Sequence, residues 1–127
     1  MNEQEFKDRT KRFALRIIKL VESLPSKRAA QVIGGQLLRA GTSVGANYRA
    51  ACRAKSTADI IHKLSIVEEE ADESLFWMEL LVEADLMRKA RLEALMVEAN
   101  EILAMIVASI KTLRGRQSRI GNPKSKI

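Results

Sequence analysis

Apolar side chains return every three or four residues along almost the whole chain, and only two prolines interrupt them. That period is helical; a half-buried strand would alternate at every second residue. In the first segment Phe6, Phe13, Ile17, Leu20 and Leu24 form the stripe, with Thr10 at the step between the two phenylalanines. Ala14, Ile18 and Val21 widen it on one side. Pro25 ends this helix, because its ring pushes Leu24 away from helical dihedrals. A second segment, about residues 27–53, carries Ile33, Leu37, Ala40, Val44, Tyr48 and Ala51. A third opens at Ser56 or Thr57 as cap and runs to about residue 85, with Ile60, Leu64, Val67, Ala71, Leu75, Met78 and Val82 inward. The fourth, about residues 89–113, points Leu92, Leu95, Ala99, Ile102, Ile106, Ile110 and Leu113 inward, and Gly115 is its expected stop. Connections this short force successive helices antiparallel, so the expected fold is all-α, an up-down-up-down four-helix bundle over residues 1–114. Residues 115–127 are basic and aperiodic, and are expected to fray as a disordered tail.

Helix two holds Gly34, Gly35, Gly41 and Gly45, each costing about 1 kcal/mol against alanine inside a helix. The apolar phase continues across them, so one helix is expected there, the alternative being a break near Gly41-Thr42-Ser43. Gly34, Gly41 and Gly45 share a face with Leu38, which points to a neighbouring helix in close approach.

The 127 residues are enough for one domain and one core, with 46% hydrophobic and 30% charged residues. A single cysteine excludes an internal disulfide framework and a multi-thiolate zinc site. The single histidine, His62, leaves little for metal or acid–base chemistry. The acid run Glu68-Glu69-Glu70, Asp72, Glu73 lacks the Glu-x-x-His pairs of bundle di-metal sites. It reads instead as a solvated face, or as partners for helix two: antiparallel register about Lys55 sets Arg39 level with Asp72 and within a turn of Glu69 and Glu73. Cys52 beside Arg53 has no evident base and reads as a packing residue. Ser43 and Asn47 read as a polar pair between helices or as a binding surface. No catalytic residues, cofactor or metal are expected, and the chain is expected not to be an enzyme. With no apolar leader and no run long enough to span a bilayer, it is expected to be cytoplasmic and to have no membrane partner.

Charge is the most uneven property. Residues 1–55 carry a net +8, residues 56–101 a net −8, and residues 102–127 a net +6. Arg9, Arg12, Arg16 and Lys19 recur at helical spacing, one stripe beside the apolar face of helix one. Arg114, Arg116, Arg119, Lys124 and Lys126 crowd the C-terminal end. A basic stripe and a basic tail are the footprint of a polyanion binder, with phosphate the expected contact and RNA the favoured nucleic acid. The same charges could instead meet acidic faces within the bundle or between copies.

Helix four is apolar all round at Ile102-Leu103-Ala104-Met105-Ile106-Val107-Ala108, and helix three nearly so around Leu75-Phe76-Trp77-Met78 and Leu80-Leu81-Val82. A bundle core needs one stripe per helix. The surplus, with Phe76, Trp77, Leu80, Leu81, Met105 and Val107 as candidate interface residues, predicts a homo-oligomer.

Lys11-Arg12-Phe13-Ala14, the Leu24-Pro25 break, Gln36-Leu37-Leu38-Arg39-Ala40 and Ser43-Val44-Gly45-Ala46-Asn47-Tyr48 resemble the bacterial four-helix-bundle family named after a protein encoded within an intervening sequence of 23S ribosomal RNA genes. The resemblance covers roughly residues 5–113 and is most specific over residues 36–47. It implies a left-handed bundle, a ring-shaped homo-oligomer, most often a pentamer, and no known enzymatic activity. It also implies packing roles for Arg39, Ser43 and Asn47. A related accessory protein of diversity-generating retroelements is a basic pentamer that binds reverse transcriptase and nucleic acid. After Asn47 the chain departs from the family pattern: Arg49-Ala50-Ala51 stands where a small residue, an acid and a glycine are usual.

Overall fold

The computed structural model describes residues 1–121 and holds four helices: α1 (Glu3–Glu22), α2 (Arg28–Cys52), α3 (Thr57–Glu83) and α4 (Lys89–Gly121). No strand occurs among the described residues, and no helix among them is long and apolar enough to cross a membrane. Local chemistry sets the ends. Asn2 Oδ1 accepts from the Glu5 N–H at 2.8 Å while the Glu5 carboxylate accepts from the Asn2 N–H at 3.3 Å, so α1 opens on a reciprocal capping box. Ser56 Oγ accepts from the Asp59 N–H at 3.1 Å and opens α3. At the far end of α3, Asp85 takes the left-handed conformation, φ 58°. The Leu86 N–H then reaches the Leu81 carbonyl at 2.9 Å and the Asp85 N–H that of Val82 at 3.0 Å, a paired closure that turns the chain into α4. Aspartate is among the few non-glycine residues that accept this conformation.

All five stripe residues within α1, Thr10 included, are buried, as are Leu24 just beyond it and Leu92, Leu95, Ala99, Ile102, Ile106 and Ile110 of α4. Thr10 enters the core at little cost because its hydroxyl donates to the Phe6 and Lys7 carbonyls, both at 3.1 Å. In α3 the stripe is rotated at both ends. Ile61 is buried rather than Ile60, and Leu81 rather than Val82. That helix packs broadly against both α2 and α4, and two buried sides blur a single period.

α2 runs unbroken through its glycines, and α1 is the helix they admit. A Cβ at Gly41 would lie 2.9 and 3.0 Å from the two γ carbons of Ile17, and one at Gly45 would lie 3.3 Å from Thr10 Oγ1. At Gly34 the obstacle is only Leu24 Cδ1, the far end of a mobile side chain, and at Gly35 the space is open. α1 therefore lies close on α2 and meets α4 far less extensively.

The sequence expectation for the end of α4 is corrected. The helix continues through Gly115 to Gly121. A glycine stops a helix when it turns left-handed, and no glycine among the described residues has positive φ. From Leu113 to Gly121 the helix extends about 12 Å.

Candidate functional site

The shallow contact between α1 and α4 leaves a groove. Two adjoining concavities of about 520 and 450 Å³ share Arg16 along it. Arg9, Arg12, Phe13 and Glu98 line the first; Lys19, Leu20, Ser23, Arg91 and Leu95 line the second. Spacings of three and four along α1 put Arg9, Arg12, Arg16 and Lys19 on one side of that helix, and the structure turns that side to α4.

The four basic residues have different roles. Arg9 is tied down: its Nε donates to Glu98 Oε2 at 2.7 Å, its Nη2 to Glu98 Oε1 at 2.8 Å and to Glu101 at 2.5 Å. Its Nη1 lies 3.3 Å from Met105 Sδ. This forked pair spans the space that close helix packing fills elsewhere. The hydrogen bonds from Arg9 hold the Glu98 carboxyl below its ordinary range against the opposing effect of burial, and the fields of Arg9, Arg16 and Arg12 add to them. Arg9 in turn is held more firmly protonated, chiefly by its bond to Glu98. Arg12, Arg16 and Lys19 are exposed. Arg91, from the first turns of α4, donates to Ser23 Oγ at 2.9 Å and adds a cation to the groove. Sequence reasoning missed it, because it is a lone arginine whose place opposite Lys19 depends on how α1 and α4 face each other.

The pairing of Glu98 has a testable consequence. A carboxyl whose folded pKa is depressed stabilises the fold fully above its unfolded pKa, about 4.3 for glutamate, and loses that contribution as pH falls through the lower folded value. Arg9→Gln is expected to destabilise the protein by about 2 kcal/mol near neutrality, the scale of hydrogen bonds to a charged group. It is also expected to flatten the fall of Tm with acid between about pH 5 and 3. Parallel Tm–pH curves for the two proteins would refute this.

The other expected residues fall in separate places. Arg114, Arg116 and Arg119 stand on the last turns of α4, and Lys124 and Lys126 lie outside the described residues. The structure does not join this set to the α1 stripe: Arg116 is about 27 Å along the helix from Glu98. Leu81 is fully buried within the subunit core, so it is withdrawn as an interface residue. Phe76 and Val107 are exposed, while Trp77, Leu80 and Met105 are half-buried. Met105 faces Arg9, and Val107, two residues on, points away from it. The six do not form one patch. Ile18, expected to widen the buried face of α1, is exposed instead, and so are Leu15, Val32 and Val97, which were not singled out because each reads in sequence as the flank of a stripe.

Arg39 does cross to the acid run. It pairs with Glu70 at 3.0 Å and with Glu73, whose Oε2 also accepts from Trp77 Nε1 at 3.0 Å. Glu73 was within the expected turn, whereas Asp72, expected level with Arg39, is exposed. Asn47 Nδ2 donates to the Ser43 carbonyl at 2.9 Å, so this contact stays within α2 rather than bridging helices. Burial pushes the Cys52 thiol upward, opposite to activation by a neighbouring cation. Among the described residues no group of three or more His, Cys, Asp or Glu could hold a metal ion.

A comparison with curated proteins finds no match. Among solved structures, the chain is similar to a crystal structure of a protein of unknown function from the S23 ribosomal protein family of Bacteroides thetaiotaomicron VPI-5482. The TM-score is 0.81 with 37% sequence identity, over 87% of this chain and 99% of that one. Residues 2–108 match the model of one protein family, nearly the whole of the bundle described above. The chain belongs to the 23S rRNA-intervening sequence protein family.

Proposed function

We propose that this protein is a non-enzymatic, cytoplasmic, homo-oligomeric accessory protein that associates with RNA, or with an RNA–protein complex, through the α1–α4 groove. The observation that carries the reading is the alignment of exposed Arg12, Arg16 and Lys19 with Arg91 across that groove. Cations along a helix meet phosphates without reading base edges, so little sequence preference is expected. The family name, and the ribosomal family of the similar crystal structure, support RNA over other polyanions.

In this reading the helices form an up-down-up-down, left-handed bundle. Leu24 lies against Gly34, Ile17 against Gly41 and Phe6 against Tyr48, an order expected of antiparallel neighbours. Exposed Leu15 and Ile18 on α1, Phe76 on α3, and Val97 and Val107 on α4 support burial between copies in a closed ring, with a pentamer favoured by the family resemblance.

Two measurements test this. Protein purified from cells is expected to carry nucleic acid, visible in its ultraviolet absorbance ratio, and crosslinking followed by sequencing identifies it. Light scattering at micromolar concentration is expected to return a multiple of the 14.2 kDa subunit mass, and a monomer mass would overturn the oligomer. A structural oligomer with no RNA role is the second reading, favoured by Leu15 and Ile18 standing on the same helix as the cations. It wins if neutralising Arg12, Arg16 and Lys19 dissolves the oligomer.

A further inference from the structure

At the end of the bundle opposite Lys19 and Arg91, all four helices line a cavity of about 460 Å³. α1 contributes Glu3, α2 Tyr48 and Cys52, α3 Ile60 and Leu64, and α4 Ser109, Thr112, Leu113 and Arg116. Three of the α4 side chains that line it, Ala108, Ser109 and Thr112, are small, which leaves room beside the start of α1. Its volume falls within the usual range for small-ligand sites, about 300–1,000 Å³.

The lining is ordered and chemically mixed. The Tyr48 ring is held edge-on by Phe6 at a centroid distance of 4.6 Å. Its hydroxyl and the Cys52 thiol lie together, and burial keeps both protonated. Glu3, bridged to Lys7 at 3.4 Å, adds an acceptor beside them. Ser109 and Thr112 face this wall from α4, and Ile60, Leu64 and Leu113 are apolar. A hydrocarbon would strip water from the Ser109 and Thr112 hydroxyls and replace none of its hydrogen bonds. A small inorganic anion would leave most of the space empty and would meet Glu3. A sugar would set polar groups against three aliphatic side chains. A flat heteroaromatic ring, apolar on its faces and hydrogen-bonding at its edge, fits this lining, and Arg116 at the rim can fork onto a phosphate.

We infer that this cavity binds a nucleotide, its base among Tyr48, Ile60, Leu64 and Thr112 and its phosphate on Arg116. The nucleotide can be free or can be the end of an RNA strand; only the second source rests on the RNA reading given above.

The test uses the full chain and the four nucleoside 5′-monophosphates in calorimetry. At least one is expected to bind with a Kd below about 1 mM. Ser109→Phe, which fills the cavity, is expected to weaken it about tenfold or more, and Thr112→Leu serves if the first variant loses helicity. Arg116→Gln is expected to weaken the monophosphate while leaving the matching nucleoside unchanged. A 5′-phosphorylated RNA pentamer that displaces the monophosphate identifies strand ends as the source, and one that does not identifies the free nucleotide. The Arg12→Gln/Arg16→Gln/Lys19→Gln protein separates the two readings, because it must retain the mononucleotide whatever happens to its RNA affinity. The inference is overturned if no monophosphate binds, if the filled cavity binds as tightly as the open one, or if Arg116→Gln affects nucleoside and monophosphate alike.

Discussion

RNA affinity is expected to fall about a hundredfold between 50 and 200 mM salt. Each phosphate neutralised by a lysine or arginine releases condensed counterions, so the logarithm of affinity declines with the logarithm of salt in proportion to the number of contacts. Arg12, Arg16, Lys19 and Arg91 line the groove, which makes about four contacts, and a slope of about 0.7–0.9 per contact over a fourfold rise in salt gives that figure. Arg9 is left out, because Glu98 and Glu101 already occupy its guanidinium. Replacing Arg12, Arg16 and Lys19 by Gln is expected to remove about three contacts from the slope and to leave helicity and oligomer mass unchanged. Filter binding or fluorescence anisotropy across a salt series gives the slope directly. An unchanged slope in the triple variant would place RNA on another face.

Gly41→Leu is expected to lower stability by about 2 kcal/mol, the gain in helix propensity being outweighed by overpacking. For a domain of this size that is a Tm drop of about 8 °C. The first added carbon alone would fall within 3.3 Å of three Ile17 carbons. Ile17 is fully buried and β-branched, so it has no free rotamer to swing into. Gly35→Ala is the control of opposite sign. Nothing lies within 4 Å of its Cβ position, and removing a glycine from an exposed helical site should add about 1 kcal/mol. Ile17→Ala should recover part of the loss in Gly41→Leu, since the two changes share one contact. Equal melting temperatures for Gly41→Leu and the parent would show that α1 does not depend on this approach.

The inward faces of α1 and α4 were legible because each has a clean buried stripe, and the period alone names Phe13 or Ile102. α3 was less legible because burial on two sides makes Ile60 and Ile61 equally plausible. The shared face of Gly34, Gly41 and Gly45 was readable as a close contact, while the identity of the contacting helix is a tertiary fact. Counting across the turn found Glu73 for Arg39 and missed Glu70, since a small change in loop geometry shifts the register by a residue or two. On α1 the stripe was visible, but its division into one structural arginine and three exposed cations was not. That division depends on Glu98, which is 89 residues from Arg9. Gly115 misled because composition marks where a helix can stop, and only the backbone conformation shows whether it does.

The lean of α1 toward α2 divides that helix into two sides with unequal freedom to drift. Facing α2, any residue larger than glycine at position 41 must displace Ile17, so substitutions there need a compensating change in the partner helix. Facing solvent at the rim of the groove, Arg12, Arg16 and Lys19 touch little, and surface changes of this kind usually stay within about 0.5 kcal/mol. A descendant chain could therefore reverse the charge of its groove in a few independent steps and keep the same architecture throughout. Kinship of fold in such a lineage would be a poor guide to the ligand carried, and the charges at these three positions a better one.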